Sequence, residues 1–140
     1  MQMKGGRQAT GSLQERLAKS LSGRDEVLEA YLFGSHATQR AQAHSDVDVA
    51  VYVEERQIGT VPYGYAADLA SALMAALGRN DVDVVVLNHA PPLLYHRVLR
   101  DGIRLFCRNP RATTAREGYA LSRYCDFVPQ LAKIEAARRR

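Results

Sequence analysis

No stretch of this chain approaches the roughly 20 consecutive apolar residues needed to cross a bilayer. Its start, Met1-Gln-Met-Lys-Gly-Gly-Arg7, lacks the apolar segment of a signal peptide. With membrane and export set aside, the expected compartment is the cytoplasm. Cysteine is scarce: Cys107 and Cys125 are the whole supply, and they fit no paired metal or redox spacing. Two reduced, mostly buried thiols are expected. Glycine-aromatic RNA-binding motifs and zinc-finger spacings are absent too. The net charge of +4 therefore does not make the chain a nucleic-acid binder, and no direct nucleic-acid binding is expected. Part of that charge sits in Arg138-Arg139-Arg140, usually just a solvated tail but also able to grip an acidic partner or nucleic acid.

What is present is one domain's worth of chain. At 140 residues it is long enough for a real core and too short for two. Its 46% hydrophobic content is ordinary for a globular protein. Residues 1–10 are polar and Gly-rich and read as a disordered N-terminus, with a single domain over 11–140. A first helix is expected from Ser12, with Glu15 three residues on as in a capping box. Val27 to Phe33 reads as a strand, broken at Gly34-Ser35 and followed by a short Ala-rich helical turn. Asp46 to Val53 reads as a second strand, with Val47, Val49, Val51 and Val53 on one face and Asp46, Asp48, Ala50 and Tyr52 on the other. A loop at Gln57 to Val61 leads to a helix opened by Pro62 and closed by Gly78. Asp81 to Leu87 is a third strand whose valines suggest burial. Pro91-Pro92 open a helix ending at Asp101-Gly102, and Ile103 to Cys107 reads as a short edge strand. From about Thr113 a long helix is expected, with Tyr119, Tyr124, Phe127, Val128, Leu131 and Ile134 along one stripe and Pro129 bending it or delaying its second half. This is an α+β (α/β) layer: a small mixed β-sheet flanked by helices, with a C-terminal helical extension.

Three carboxylates carry the chemistry. Asp46 and Asp48 share a strand face, and two such charges a few ångströms apart repel. A divalent cation resolves the conflict, and oxygen-only ligands suit magnesium. Alone, Asp-Val-Asp at a strand start is more often just solvated. Two further features reverse that balance. Gly34-Ser35 falls where a strand turns into a helix: glycine allows close approach of a ligand, and serine offers a hydroxyl and an amide to a phosphate. Asp83, on the next acidic strand, adds a third carboxylate, enough with Asp46 and Asp48 for two magnesium ions about 3.5–4 Å apart. Asp81 lies on the same strand face and is the alternative third ligand. Asp83 is preferred for its place inside the valine run. His44, His89 and His96 show no metal-ligand spacing.

Gly34-Ser35, then the ten residues His36 to Ser45, then Asp46-Val47-Asp48 resembles the Gly-Ser…Asp-x-Asp signature of the polymerase-beta-type nucleotidyltransferases. Val82-Asp83-Val84-Val85-Val86-Leu87-Asn88 is similar to their third-carboxylate strand. The segments from Pro91 to Gly102 and from Tyr119 to Phe127 resemble the minimal nucleotidyltransferase (MNT) branch, whose antitoxin members pair with HEPN-domain ribonuclease toxins. Many relatives follow Gly-Ser with two arginines and a glycine. Here those places hold His36, Thr38 and Gln39, with Arg40 just after, so Arg40 or His36 is the substitute phosphate contact.

The resemblance implies a polymerase-beta-type nucleotidyltransferase fold and an in-line displacement at phosphorus. Gly34, Ser35 and Arg40 are expected at the nucleotide. Asp46, Asp48 and Asp83 are expected to be both catalytic and metal-binding. It also implies ATP as substrate, two Mg2+ ions, and the tyrosine hydroxyl of a HEPN toxin as acceptor of AMP, within a type VII toxin–antitoxin pair. A bulky anionic adduct on the toxin would block RNA binding. Two rivals stand beside this reading. A small-molecule (aminoglycoside-type) nucleotidyltransferase would need an added substrate-binding domain, and none is legible in these 140 residues. A non-enzymatic antitoxin neutralising by binding would have no use for three acids.

Overall fold

The structure is a computed structural model and describes residues 4–38, 45–58 and 62–139. Its elements run α1 (Lys4–Ser22), β1 (Val27–Phe33), a 3-10 turn (Gly34–His36), β2 (Val47–Val53), α2 (Glu55–Ile58), α3 (Pro62–Leu77), β3 (Val82–Val86), a second 3-10 turn (Leu87–His89), α4 (Pro92–Asp101), β4 (Ile103–Cys107) and α5 (Pro110–Arg138). Valine-rich and aromatic runs such as VLEAYLF and VDVAVYV favour the pleated, half-buried surface of a sheet. The four strands lie in the order β3-β2-β1-β4. β1 is antiparallel to both neighbours, whereas β2 and β3 are parallel. A parallel pair needs a crossover, and α3 supplies it.

Alternation along the strands divides the core. Val47, Val49, Val51 and Val53, with Ala30 and Leu32, face Leu17 and Leu21 of α1 and Leu69, Leu73 and Leu77 of α3. Tyr31, Phe33 and Ala50 face the other way, onto Tyr95 and Val98 of α4 and Ala120 of α5. Full burial of each large apolar side chain contributes about 1.5–3 kcal/mol. Glu29 is fully buried on this second face. Its carboxylate accepts from Thr113 Oγ1 at 2.8 Å and Arg116 Nε at 2.8 Å, which ties α5 to β1 and satisfies the buried charge.

Several elements depart from the sequence reading. α1 begins at Lys4, so Ser12 lies inside the helix and is not its cap. α2 occupies part of what reads as a loop from Gln57. The valine-rich β3 is an edge strand with Val84, Val85 and Val86 only half-buried; valine there reflects strand preference more than depth. α5 starts at Pro110, three residues before Thr113, because the Asn109 side chain accepts from Ala112 N at 3.1 Å and proline suits the first turn. Pro129 lies inside the continuous α5. The missing hydrogen bond falls on a stretch of mostly exposed residues, where a carbonyl left without its helical partner is open to solvent. Both cysteines are free, but only Cys107 is half-buried; Cys125 is exposed on α5.

Candidate active site

The pairing register builds the acidic ledge. Asp48 is the second residue of β2, and its partner across the parallel ladder is Asp83 of β3. Adjacent strands lie about 4.8 Å apart, so the two acids are neighbours on the sheet. Across the antiparallel ladder, Asp48 stands opposite Phe33, the residue before Gly34. Asp46 lies just outside β2 and, like Asp83, is exposed, while Asp48 is half-buried. Burial raises the Asp48 carboxyl above its ordinary range; the Asp83 and then the Asp46 carboxylates raise it further, and His36 opposes them. The three acids therefore share one field.

Gly34 closes the ledge from above. Its φ is +74°, in the left-handed region where a side chain is strained. A Cβ at this position would collide with Oδ2 of Asp48. The glycine is thus required twice, by its own backbone and by the carboxylate beneath it. Ser35 follows in a single 3-10 turn, where the Gly34 carbonyl accepts from Ala37 N at 3.1 Å and Thr38 N at 3.2 Å. Among the described residues Ser35 stands in this short 3-10 turn and not at the start of a longer helix, so no sizeable helix dipole is described at it; a phosphate contact by Gly34 and Ser35 would use their amides and the hydroxyl. Arg40 lies outside the described residues. His36 directs its ring at the protein, with Nε2 3.1 Å from the Ser45 carbonyl.

The structure also separates the two candidate third acids. Asp81 is bound by Arg79, whose Nε and Nη2 each donate to it at 2.8 Å. Arg79 pulls the Asp81 carboxyl below its usual range. Asp83, two residues on, stands in register with Asp48 instead. Arg79 carries no signal of its own in the sequence. An Arg-x-Asp pair in a turn is unremarkable until the fold brings Ser45 beside it. Of the histidines, His89 pairs with Glu55 at 3.0 Å, and His96 stacks on Tyr124 with ring centroids 3.6 Å apart; His44 lies outside the described residues.

As placed, no three His, Cys, Asp or Glu side chains among the described residues converge into a ready-made metal site. The donor chemistry nonetheless fits a hard divalent cation. The ledge offers only carboxylate oxygens, two of its three acids are exposed, and their mutual repulsion at Asp48 is what a cation relieves.

The family model of the polymerase beta nucleotidyltransferases matches residues 15–111. The chain belongs to this family. The matched region includes Gly34, Ser35 and all three acids of the ledge. Among solved structures, a toxin–antitoxin complex with AMP-PNP contains a chain 25% identical, with a TM-score of 0.75 over 89% of this chain and 98% of that one. A chain in the structure of a tri-AMPylated Shewanella oneidensis HEPN toxin with an MNT antitoxin is 24% identical, with a TM-score of 0.70 over 92% of this chain and 98% of that one, and shows the shared fold. A protein assigned as a minimal nucleotidyltransferase is 33% identical, with a TM-score of 0.53 over 68% of this chain and 92% of its own. No curated protein sequence matches. No helix among the described residues is long and apolar enough to cross a membrane.

Proposed function

We propose that this nucleotidyltransferase is the antitoxin of a HEPN/MNT pair and transfers AMP from ATP to a tyrosine hydroxyl of its HEPN ribonuclease partner. The observation that carries the reading is the acidic ledge: Asp48 and Asp83 in register on a parallel strand pair, beneath a glycine that the Asp48 carboxylate requires. The likeness to chains in toxin–antitoxin complexes, one of them with AMP-PNP, supports the nucleotide and the partner.

Asp46, Asp48 and Asp83 would hold Mg2+. When bound, the ions neutralise phosphate charge and make the acceptor hydroxyl easier to deprotonate. Gly34 and Ser35 offer backbone and hydroxyl to the phosphates without a side chain in the way. Asp83, exposed on the edge strand, accepts the tyrosine proton. The tyrosine oxygen forms a bond to the α-phosphorus while the bond to the bridging oxygen breaks, and pyrophosphate leaves. Little covalent work falls to the protein; placement and charge do the rest.

The test incubates the chain with labelled ATP, Mg2+ and the product of the neighbouring open reading frame, expected to be a HEPN protein, then maps the modified residue by mass spectrometry. AMP on a toxin tyrosine, lost in Asp48→Asn with the melting temperature preserved, is the expected result. A toxin neutralised without any adduct would establish a binding-only antitoxin and overturn the proposal.

A further inference from the structure

Asp46 is the one acid of the ledge that no strand ladder holds. It precedes β2 by one residue and is exposed, yet the chain on both sides of it is fixed. Before it, the Ser45 carbonyl accepts from Arg79 Nη2 at 3.3 Å and faces His36 Nε2 at 3.1 Å. After it, Val47 N donates to the Asp81 carbonyl at 2.9 Å. The two anchors are themselves joined, because Arg79 grips the Asp81 carboxylate through two nitrogens. Arg79 and Asp81 are only 29% and 24% exposed as side chains, so water competes less for this pair than for an open surface pair.

We propose that Arg79 is a positioning residue for Asp46, clamping the Ser45 carbonyl together with His36 while Asp81 orients its guanidinium. Asp81 thereby acts twice, setting the fork through its carboxylate and the chain after Asp46 through its carbonyl. Arginine suits the role. Its planar guanidinium spans a carboxylate with two N–H groups and keeps others for a carbonyl, which a lysine ammonium on a flexible stem does not reproduce. The Arg79 cation also lies within the field of Asp46, tempering the repulsion among the acids. The catalytic arm of this inference rests on the proposed AMP transfer; the structural arm does not.

The experiment reads both arms in Arg79→Gln, Arg79→Lys, Asp81→Asn and the double variant Arg79→Gln/Asp81→Asn. In the first arm, amide hydrogen exchange at Val47 is expected to quicken at least about 10-fold in Arg79→Gln while Val49, held in the ladder, stays within about 3-fold. Unchanged exchange at Val47 would overturn the clamp. In the second arm, Arg79→Gln and Arg79→Lys are both expected to lower kcat by roughly 10–100-fold, the cost of a misplaced catalytic group, with KM for ATP within about 3-fold. The double variant is expected to be no worse than Arg79→Gln alone. Full activity in Arg79→Lys would show that only charge matters, and additive losses would show two independent roles; either result defeats the proposal. A wild-type chain that transfers no AMP refutes the functional reading, and the exchange arm still decides the clamp.

Discussion

Gly34 shows how much one missing side chain contributes. Its positive φ would cost an alanine about 1–2 kcal/mol, and the alanine methyl would strike the Asp48 carboxylate. Gly78 provides an internal control: its φ is +68°, but no atom lies within 4 Å of where its Cβ would stand. Gly78→Ala is therefore expected to lower the melting temperature by about 3–8 °C, and Gly34→Ala, which adds the collision, by at least as much. They should part company in AMP transfer, with Gly34→Ala losing at least about 100-fold and Gly78→Ala keeping most of its rate. Equal activity in the two variants, measured beside their thermal melts, would detach Gly34 from the site. The requirement is visible only in three dimensions. Gly-Ser at a strand end is suggestive in the sequence, but the carboxylate beneath it comes from another strand.

At the scale of elements, α5 divides into two parts. Its first half is held to the domain by the buried Thr113 and Ala120, by the Glu29–Arg116 pair, and by Tyr124 stacked on His96. Tyr119, at 69% exposed, and further along Val128 and Ile134, at 40% and 49%, present apolar surface to solvent. The stripe expected from Tyr119 to Ile134 is therefore not a seam packed on the sheet: the helix turns Thr113, Ala120 and Tyr124 inward and leaves much of the stripe outside. Exposed aromatic and aliphatic groups among arginines suit a protein partner. Truncation after Val128 is expected to shift the melting temperature by under about 3 °C and to weaken co-purification with the HEPN toxin by about 10-fold or more. A truncated chain that matches the full-length protein in binding the proposed toxin and in AMP transfer would place the interface elsewhere.

Over the whole molecule, the second core face is built from polar groups inside apolar packing. Tyr31 donates to Glu117 at 2.6 Å, and Arg104 binds the same carboxylate at 2.8 Å. On the first face, Tyr65 of α3 donates to Glu26 at 2.9 Å. Burial first, then these hydrogen bonds, raise the Tyr31 and Tyr65 hydroxyls far above their ordinary range; burial and the Glu29 carboxylate do the same at Tyr95. The sign of the linkage follows. A group raised on folding lends stability that is complete below its unfolded value, about 10 for tyrosine, and is lost as pH rises toward the folded value. The urea midpoint is thus expected to fall between about pH 9.5 and 11.5, and to fall less steeply in Tyr31→Phe. Parallel curves for wild type and variant would mean that the Tyr31 proton is not coupled to folding.

Features that depend only on neighbours along the chain were legible without the fold. The β1 bounds, the alternation of valines on β2, the proline starts and glycine stop around α3 and α4, and the Gly-Ser…Asp-x-Asp spacing are all local, because strand and helix periodicity and turn chemistry are local. Helix ends were less legible: Asn109 capping moved the start of α5, and a continuous helix passes Ser12. Which acid faces Asp48 depends on the strand pairing. Asp81 and Asp83 are alternatives on one strand face until the parallel register sets Asp83 beside Asp48 and the turn after α3 hands Asp81 to Arg79. The fold also makes β3 an edge, buries Glu29 with a partner 87 residues away, and brings Arg79 to Ser45. Each of these joins residues far apart in the chain, and sequence periodicity fixes which way a side chain points from its own element but not what stands opposite it.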